Sequence, residues 1–142
     1  MRLDKAKKGR GKGMSDETLS IRIAPPTTKL EKEFAGVIVE TLSRLPKKVR
    51  DKVINKVSFE LCVDGMVSCI IAHPDPDEPT IMFNYPYLAK KSDSFKMKVV
   101  AHEIGHFVLN HLPKRVRINK KLDREVDGLC EEWGIGRLPR TG

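Results

Sequence analysis

The feature that most constrains this chain is a pair of histidines four residues apart, with a glutamate directly after the first. His102-Glu103-Ile104-Gly105-His106 form this HExxH motif. On an α-helix, residues i and i+4 lie on the same face, so both imidazoles can bind one tetrahedral zinc ion. Glu103 then lies beside the ion, where it can accept a proton from a zinc-activated water. The motif predicts a helix with His102 and His106 as zinc ligands and Glu103 as general base.

A third zinc ligand is expected from a later acidic stretch, because catalytic zinc sites use three protein ligands and keep one open position. Three carboxylates follow, at Asp123, Glu125 and Asp127. Asp123 and Asp127 share one helical face, whereas Glu125 points roughly 200° away from Asp123. The neighbours Val126 and Cys130 turn the first face toward the core. We predict Asp123 as the ligand and Asp127 as an acceptor that orients a ligand histidine, with Asp127 and then Glu125 as alternative ligands.

Further polar side chains are weaker candidates for the same site. Hydrolysis of a peptide bond usually needs a second group to stabilise the oxyanion that forms on the carbonyl oxygen. The candidates for this role are Tyr85, Tyr87 and His111. His111 lies about 140° around a continuous helix from His106, which is typical of a helix-end or packing residue. His73 lies in a proline-rich loop and is expected to face solvent.

The hydrophobic pattern runs from helical to strand-like and back to helical, which predicts an α+β fold. Prolines and capping residues set the helix ends. The first predicted helix is 29–45, and Pro46 either ends it or opens a second, short helix that runs to about Asn55. Two more helices are predicted, one from Ser92 or Ser94 to about Leu112 and one over 120–133.

Three short strands are predicted between these helices. Residues 57–63 and 66–72 read as a hairpin, because Asp64-Gly65 between them is a strong turn signal. Thr80–Asn84 is the third strand, and the nearby Pro86 favours an edge position. The expected sheet is small, three-stranded and mostly antiparallel.

Length, cysteines and hydropathy narrow the class of protein. The chain has 142 residues, and no apolar run approaches the ~20 residues that a membrane helix requires. Its three cysteines are odd in number and lack CxxC spacing, which fits reduced core thiols in the cytoplasm rather than zinc ligands. The cysteines are Cys62, Cys69 and Cys130.

We predict a disordered basic tail over 1–26, one domain over 27–136 and a loose tail over 137–142.

Two basic clusters account for much of the net charge of +8. Residues 1–13 contain six Lys or Arg against one Asp, and a second cluster precedes and enters the last predicted helix. Both can contact nucleic acid or another polyanion. The plain alternative is a solubilising tail and a solvated loop, because no aromatic residue in the first cluster could stack on bases. The second cluster consists of Lys114, Arg115, Arg117, Lys120, Lys121 and Arg124.

The HExxH motif and the acidic helix together resemble the zincin metallopeptidases of the gluzincin type, most of all the small ImmA/IrrE-like and minimal gluzincin proteins. The resemblance covers roughly residues 57–134. Those families follow HExxH with a Glu-x-x-Ala-Asp/Asn pattern whose Glu binds zinc, and here Asp123, Val126 and Asp127 stand at the Glu, Ala and final positions. Cys130 and Trp133-Gly134 are similar to the family's next positions.

The resemblance implies a zincin-like fold. N-terminal helices and a small sheet would precede the HExxH helix, and a C-terminal helix would supply the third ligand to one Zn²⁺ per chain. It also implies a strand along the active-site cleft, a place that Thr80–Asn84 would take. Because aspartate is one methylene shorter than glutamate, Asp123 requires the last helix to lie closer to the motif helix.

These observations predict a small intracellular zinc-dependent metallopeptidase. A zinc-activated water would hydrolyse peptide bonds of a protein or peptide substrate, with Glu103 as general base. The alternative is a non-catalytic zinc-stabilised domain that binds nucleic acid or a protein partner through its basic clusters. A metal-free structural domain remains only if the chain binds no metal.

Overall fold

The computed structural model describes residues 21–63, 65–71, 77–111 and 120–139. Within these ranges the chain forms five helices and a four-stranded mixed sheet, an α+β arrangement as predicted. None of the helices in these ranges is both long and apolar enough to span a membrane. In chain order the elements are β1 (Arg22–Ile23), α1 (Lys29–Ser43), α2 (Lys47–Lys56), β2 (Ser58–Cys62), β3 (Ser68–Ile71), β4 (Thr80–Asn84), α3 (Tyr85–Leu88), α4 (Asp93–Val108) and α5 (Lys120–Glu132).

The first helix begins at a capping box. The Thr28 hydroxyl accepts a hydrogen bond from the Glu31 N–H at 3.1 Å, and the Glu31 carboxylate accepts one from the Thr28 N–H at 2.9 Å. Two donors that the first helical turn leaves unpaired are thereby satisfied. Helix α2 follows directly after Pro46. The predicted helix over 29–45 is confirmed, and of the two alternatives at Pro46 the structure has the second, short helix.

The sheet differs from the prediction in both strand number and order. Its order is β1-β2-β4-β3, with β2 parallel to β1 and β4, and β3 antiparallel to β4. A three-stranded, mostly antiparallel sheet is therefore wrong, and so is a hairpin of β2 with β3, because β4 lies between them. The turn signal at Asp64-Gly65 does not determine which strand β2 pairs with.

The edge position expected for Thr80–Asn84 is also wrong. This strand, β4, lies inside the sheet, and its Ile81 and Phe83 side chains are fully buried. Pro86 falls in the first turn of α3, where a missing N–H breaks no ladder hydrogen bond. The edge strand on this side is β3. A cleft along the edge next to β4 would therefore be bordered by β3.

The ends of the domain differ from the expected boundaries. Arg22 and Ile23, expected in the tail, form β1 against Ser58 and Phe59. Leu138, expected in a loose tail, packs against the core. Residues 1–20, Asp64, 72–76, 112–119 and 140–142 lie outside the described residues, and with them the 1–13 cluster, His73, Lys114, Arg115 and Arg117.

Helix α4 lies between two apolar clusters, which buries the motif from most sides. One face joins the main core formed by α1, α2, β2 and β4, and the other packs on α5. On the α5 side of α4, Ala101 clusters with Val126 and Cys130. The main core includes Phe34, Ile38, Leu42, Val53, Phe59, Ile81, Phe83, Val99, Val100, Ile104 and Phe107.

Candidate metal centre

Helix α4 presents the HExxH motif as predicted. Its N-terminus is capped by the Ser92 hydroxyl, which accepts a hydrogen bond from the Phe95 N–H at 3.1 Å. The motif side chains His102, Glu103 and His106 are all buried. Because burying unpaired polar groups is costly, these three side chains require polar partners in the site.

The helix ends earlier than the predicted Leu112, and this early end shapes the site. Asn110 has a left-handed φ of 59°, and the N–H groups of Asn110 and His111 bond back to the carbonyls of Phe107 and His106, at 3.1 and 3.0 Å. This is the Schellman pattern of helix termination. It turns His111 back onto the helix end, instead of continuing 140° around it.

Three predicted ligand atoms converge on one point between α4 and α5. His106 Nε2 lies 3.2 Å from His102 Nε2 and 3.1 Å from Asp123 Oδ1. His102 Nε2 lies 3.4 Å from the same carboxylate oxygen. The three atoms form a nearly equilateral triangle. Their residues, which we call the triad, are a candidate metal-binding group.

The triangle has the dimensions that a tetrahedral ion requires. Zinc–nitrogen bonds of about 2.0–2.1 Å place neighbouring ligands about 3.3–3.4 Å apart at the corners of a tetrahedron. The observed separations of 3.1 to 3.4 Å lie within a few tenths of that edge. Two neutral imidazoles and one carboxylate are also ligands that zinc commonly takes. The residues present therefore fit a divalent ion of this kind.

Helix α5 orients its acidic residues as the face argument predicted. Asp123 joins the histidines, while Asp127 is buried one turn later. Burial and the nearby Asp127 carboxylate raise the pKa of the Cys130 thiol to about 12. Cys130 is thus a neutral core thiol. The role of Asp127 in orienting a histidine stays a prediction.

A second layer of contacts lies on the side of His106 away from the metal-binding group, and the sequence analysis did not predict it. His111 Nδ1 lies 3.0 Å from His106 Nδ1, and His111 Nε2 lies 2.8 Å from Glu125 Oε1. Glu125, an alternative ligand in the sequence argument, contacts His111 rather than the triad. The signal for this layer was Asn110, a residue type that favours left-handed helix ends.

The proposed general base is held by the edge strand. The Ser68 hydroxyl of β3 donates a hydrogen bond to Glu103 Oε2 at 2.8 Å. This contact links the edge of the sheet to the motif helix. It therefore places Ser68 of β3 beside the proposed general base. A position of Thr80–Asn84 along the cleft stays a prediction.

The two tyrosines lie on the short helix α3. Tyr85 packs against the core, whereas Tyr87 is partly exposed, with Lys91 Nζ 4.9 Å from its ring centroid. Among the residues that the structure describes, no hydrogen bond joins either tyrosine to the triad. A role for them in stabilising an oxyanion remains a prediction.

No family model, curated protein or solved structure matches the chain. The function of the chain is therefore inferred from the geometry of the centre itself.

Proposed function

We propose that this chain is a zinc-dependent metallopeptidase that hydrolyses peptide bonds of a protein or peptide substrate. The observation that supports it best is the convergence of His102, His106 and Asp123 at tetrahedral spacing, with Glu103 in the same helical turn. Zinc on these ligands would lower the pKa of a water molecule toward about 7 and polarise the scissile carbonyl.

Glu103 would transfer the proton in this reaction. Its carboxylate accepts a proton as the water oxygen attacks the carbonyl carbon. It then delivers that proton to the amine nitrogen as the C–N bond breaks. The hydrogen bond from Ser68 to Oε2 restrains the Glu103 carboxylate. A fixed base is expected to act faster than a rotating one, because reacting atoms must be held in near-attack geometry.

The edge strand gives a place for the substrate backbone. Strand β3 pairs with β4 on one side, and in the described ranges no strand pairs with its other side. An extended peptide can add to such an edge through main-chain hydrogen bonds. Since Ser68 of β3 contacts Glu103, a peptide on this edge would pass close to the proposed base.

The test combines metal content with a hydrolysis assay. The wild type, purified without added metal, is expected to contain close to one zinc per chain. Glu103→Gln should retain zinc but lose about 10²–10⁴-fold of the hydrolysis of a quenched fluorescent peptide library. Hydrolysis retained by Glu103→Gln, or no zinc uptake by the wild type, would contradict the proposal.

A zinc-stabilised binding domain is the competing proposal, and one observation favours it. The triad is mostly buried and joins α4 to α5, so a metal ion there would also hold the two helices together. In that case zinc should raise the melting temperature of the wild type and Glu103→Gln equally, without hydrolysis by either. Binding to a polyanion should then weaken with salt and on removal of residues 1–13.

A further inference from the structure

Behind the triad lies a chain of three side chains whose polar atoms meet one another in order. His106 Nδ1, on the side of the ring away from the triad, lies 3.0 Å from His111 Nδ1. His111 is buried, and its Nε2 lies 2.8 Å from Glu125 Oε1. Both nitrogens of both rings are therefore engaged.

The positions of the protons follow once His106 Nε2 is a metal ligand. A ligating nitrogen uses its lone pair on the metal, so the ring proton of His106 must be on Nδ1. His106 Nδ1–H then donates to His111 Nδ1, which must be unprotonated. His111 carries its proton on Nε2 and donates it to the Glu125 carboxylate. Both hydrogen bonds, from His106 to His111 and from His111 to Glu125, therefore have their donors on the side of the metal centre.

We propose that His111 and Glu125 are positioning residues that fix the tautomer and ring orientation of His106, and so strengthen zinc binding. The inference rests on the proposed metal centre, but neither residue is itself a ligand. The Glu125 carboxylate would attract the ring protons of His111 and His106. This would increase the electron density on His106 Nε2 and make it a stronger metal ligand. We call these three residues the His106–His111–Glu125 relay.

Two backbone features bring the relay together. The left-handed residue Asn110 turns His111 back onto His106. Glu125 stands two residues after Asp123 on α5, so one helix supplies both a ligand and the end of the relay. Docking of α5 would therefore complete the ligand set and lock the His106 ring in the same step.

The first test measures zinc affinity by competition with a chromophoric chelator. Glu125→Ala is the key variant, because Glu125 is half-exposed and its truncation should not unfold the chain. Glu132→Ala removes the same charge from the exposed end of α5 and is the matched control. Loss of such outer contacts typically weakens metal binding about 10–100-fold, and we expect a loss in that range for Glu125→Ala and His111→Phe. Glu125→Gln keeps an acceptor oxygen and should recover most of the affinity.

The second test reads the tautomers directly in the zinc-loaded full chain, by ¹⁵N NMR of the histidine rings at one fixed pH. His106 should be protonated on Nδ1, and His111 on Nε2 alone. A proton on His111 Nδ1, or equal zinc affinities for Glu125→Ala and Glu132→Ala, would overturn the relay while leaving the peptidase proposal standing. A wild type that binds no zinc would overturn both.

Discussion

Val126 occupies the space that a side chain on Gly105 would need. A Cβ atom on Gly105 would lie 2.8 Å from Val126 Cγ1, closer than real Cβ contacts allow. Gly105 precedes the ligand His106, and Val126 follows Asp123 by less than one turn. The missing side chain thus lets α5 approach α4 closely.

Gly105→Ala is therefore expected to lower both stability and zinc affinity. Replacing a helical glycine by alanine ordinarily stabilises by about 0.5–1 kcal/mol. Here the added methyl must displace the buried, β-branched Val126, and overpacking of this kind typically costs about 1–3 kcal/mol. Urea denaturation should show a lower free energy of unfolding, and chelator competition a weaker zinc affinity.

Gly128→Ala provides the matched control for that prediction. Gly128 is exposed in the middle of α5, and an added Cβ would meet no atom within 4 Å. It should stabilise the protein by up to about 1 kcal/mol and leave zinc affinity unchanged. If Gly105→Ala stabilised the chain as Gly128→Ala does, the close approach of the helices would not limit the site.

The helices and the grouping of the site were predictable because their signals are local. Caps at Thr28 and Ser92 set two helix starts. The choice of Asp123 over Glu125 followed from the apolar face of α5, which the structure buries at Val126. Such signals lie within one or two helical turns of the residues that they govern. Metal binding by the group itself stays a prediction.

The sheet order was not predictable in the same way, because it depends on contacts distant in sequence. Strand β2 pairs with β4, about twenty residues later, rather than with the nearer β3. Phe83 of β4 packs on the Phe34 ring of α1, with ring centroids 5.2 Å apart, and this core contact favours a central β4. The residues around Asp64-Gly65 contain no signal for the central position of β4.

Asp123→Ala should abolish the stabilisation that zinc gives. Zinc at 100 times its dissociation constant stabilises a folded chain by about 2.7 kcal/mol. We expect that gain in the wild type and almost none in Asp123→Ala, measured by denaturation with and without zinc. Asp127→Ala should retain most of the gain. The reverse order of the two variants would make Asp127 the third ligand.

Glu31 makes the stability of α1 depend on pH. Hydrogen bonds from the backbone of Thr28 and Thr27 lower the pKa of Glu31 from its ordinary 4.5. A lowered pKa in the folded state adds stability above pH 4.5, and this is lost as the pH falls through the folded value. The stability difference between wild type and Glu31→Gln should therefore shrink on acidification. Glu33→Gln, which removes one carboxylate from an exposed position on the same helix, is the matched control.

Ser68→Ala should reduce turnover without reducing metal binding. Its hydroxyl donates to Glu103 Oε2 at 2.8 Å, and a hydrogen bond to a charged group contributes about 1.5–3 kcal/mol. If the lower part of that range is realised in the transition state, kcat should fall about 10-fold, since 1.36 kcal/mol is a factor of ten. KM and zinc content should stay close to those of the wild type.

Ser68→Thr separates the hydroxyl from the rest of the side chain. Threonine keeps the donor and suits a strand, so this variant should recover most of the kcat that Ser68→Ala loses. Equal losses in both variants would mean that packing on β3, and not the hydrogen bond, limits the reaction. A loss of zinc in Ser68→Ala would mean that Ser68 helps to position the metal ligands. Retained zinc with lowered kcat would tie the edge strand to proton transfer by Glu103.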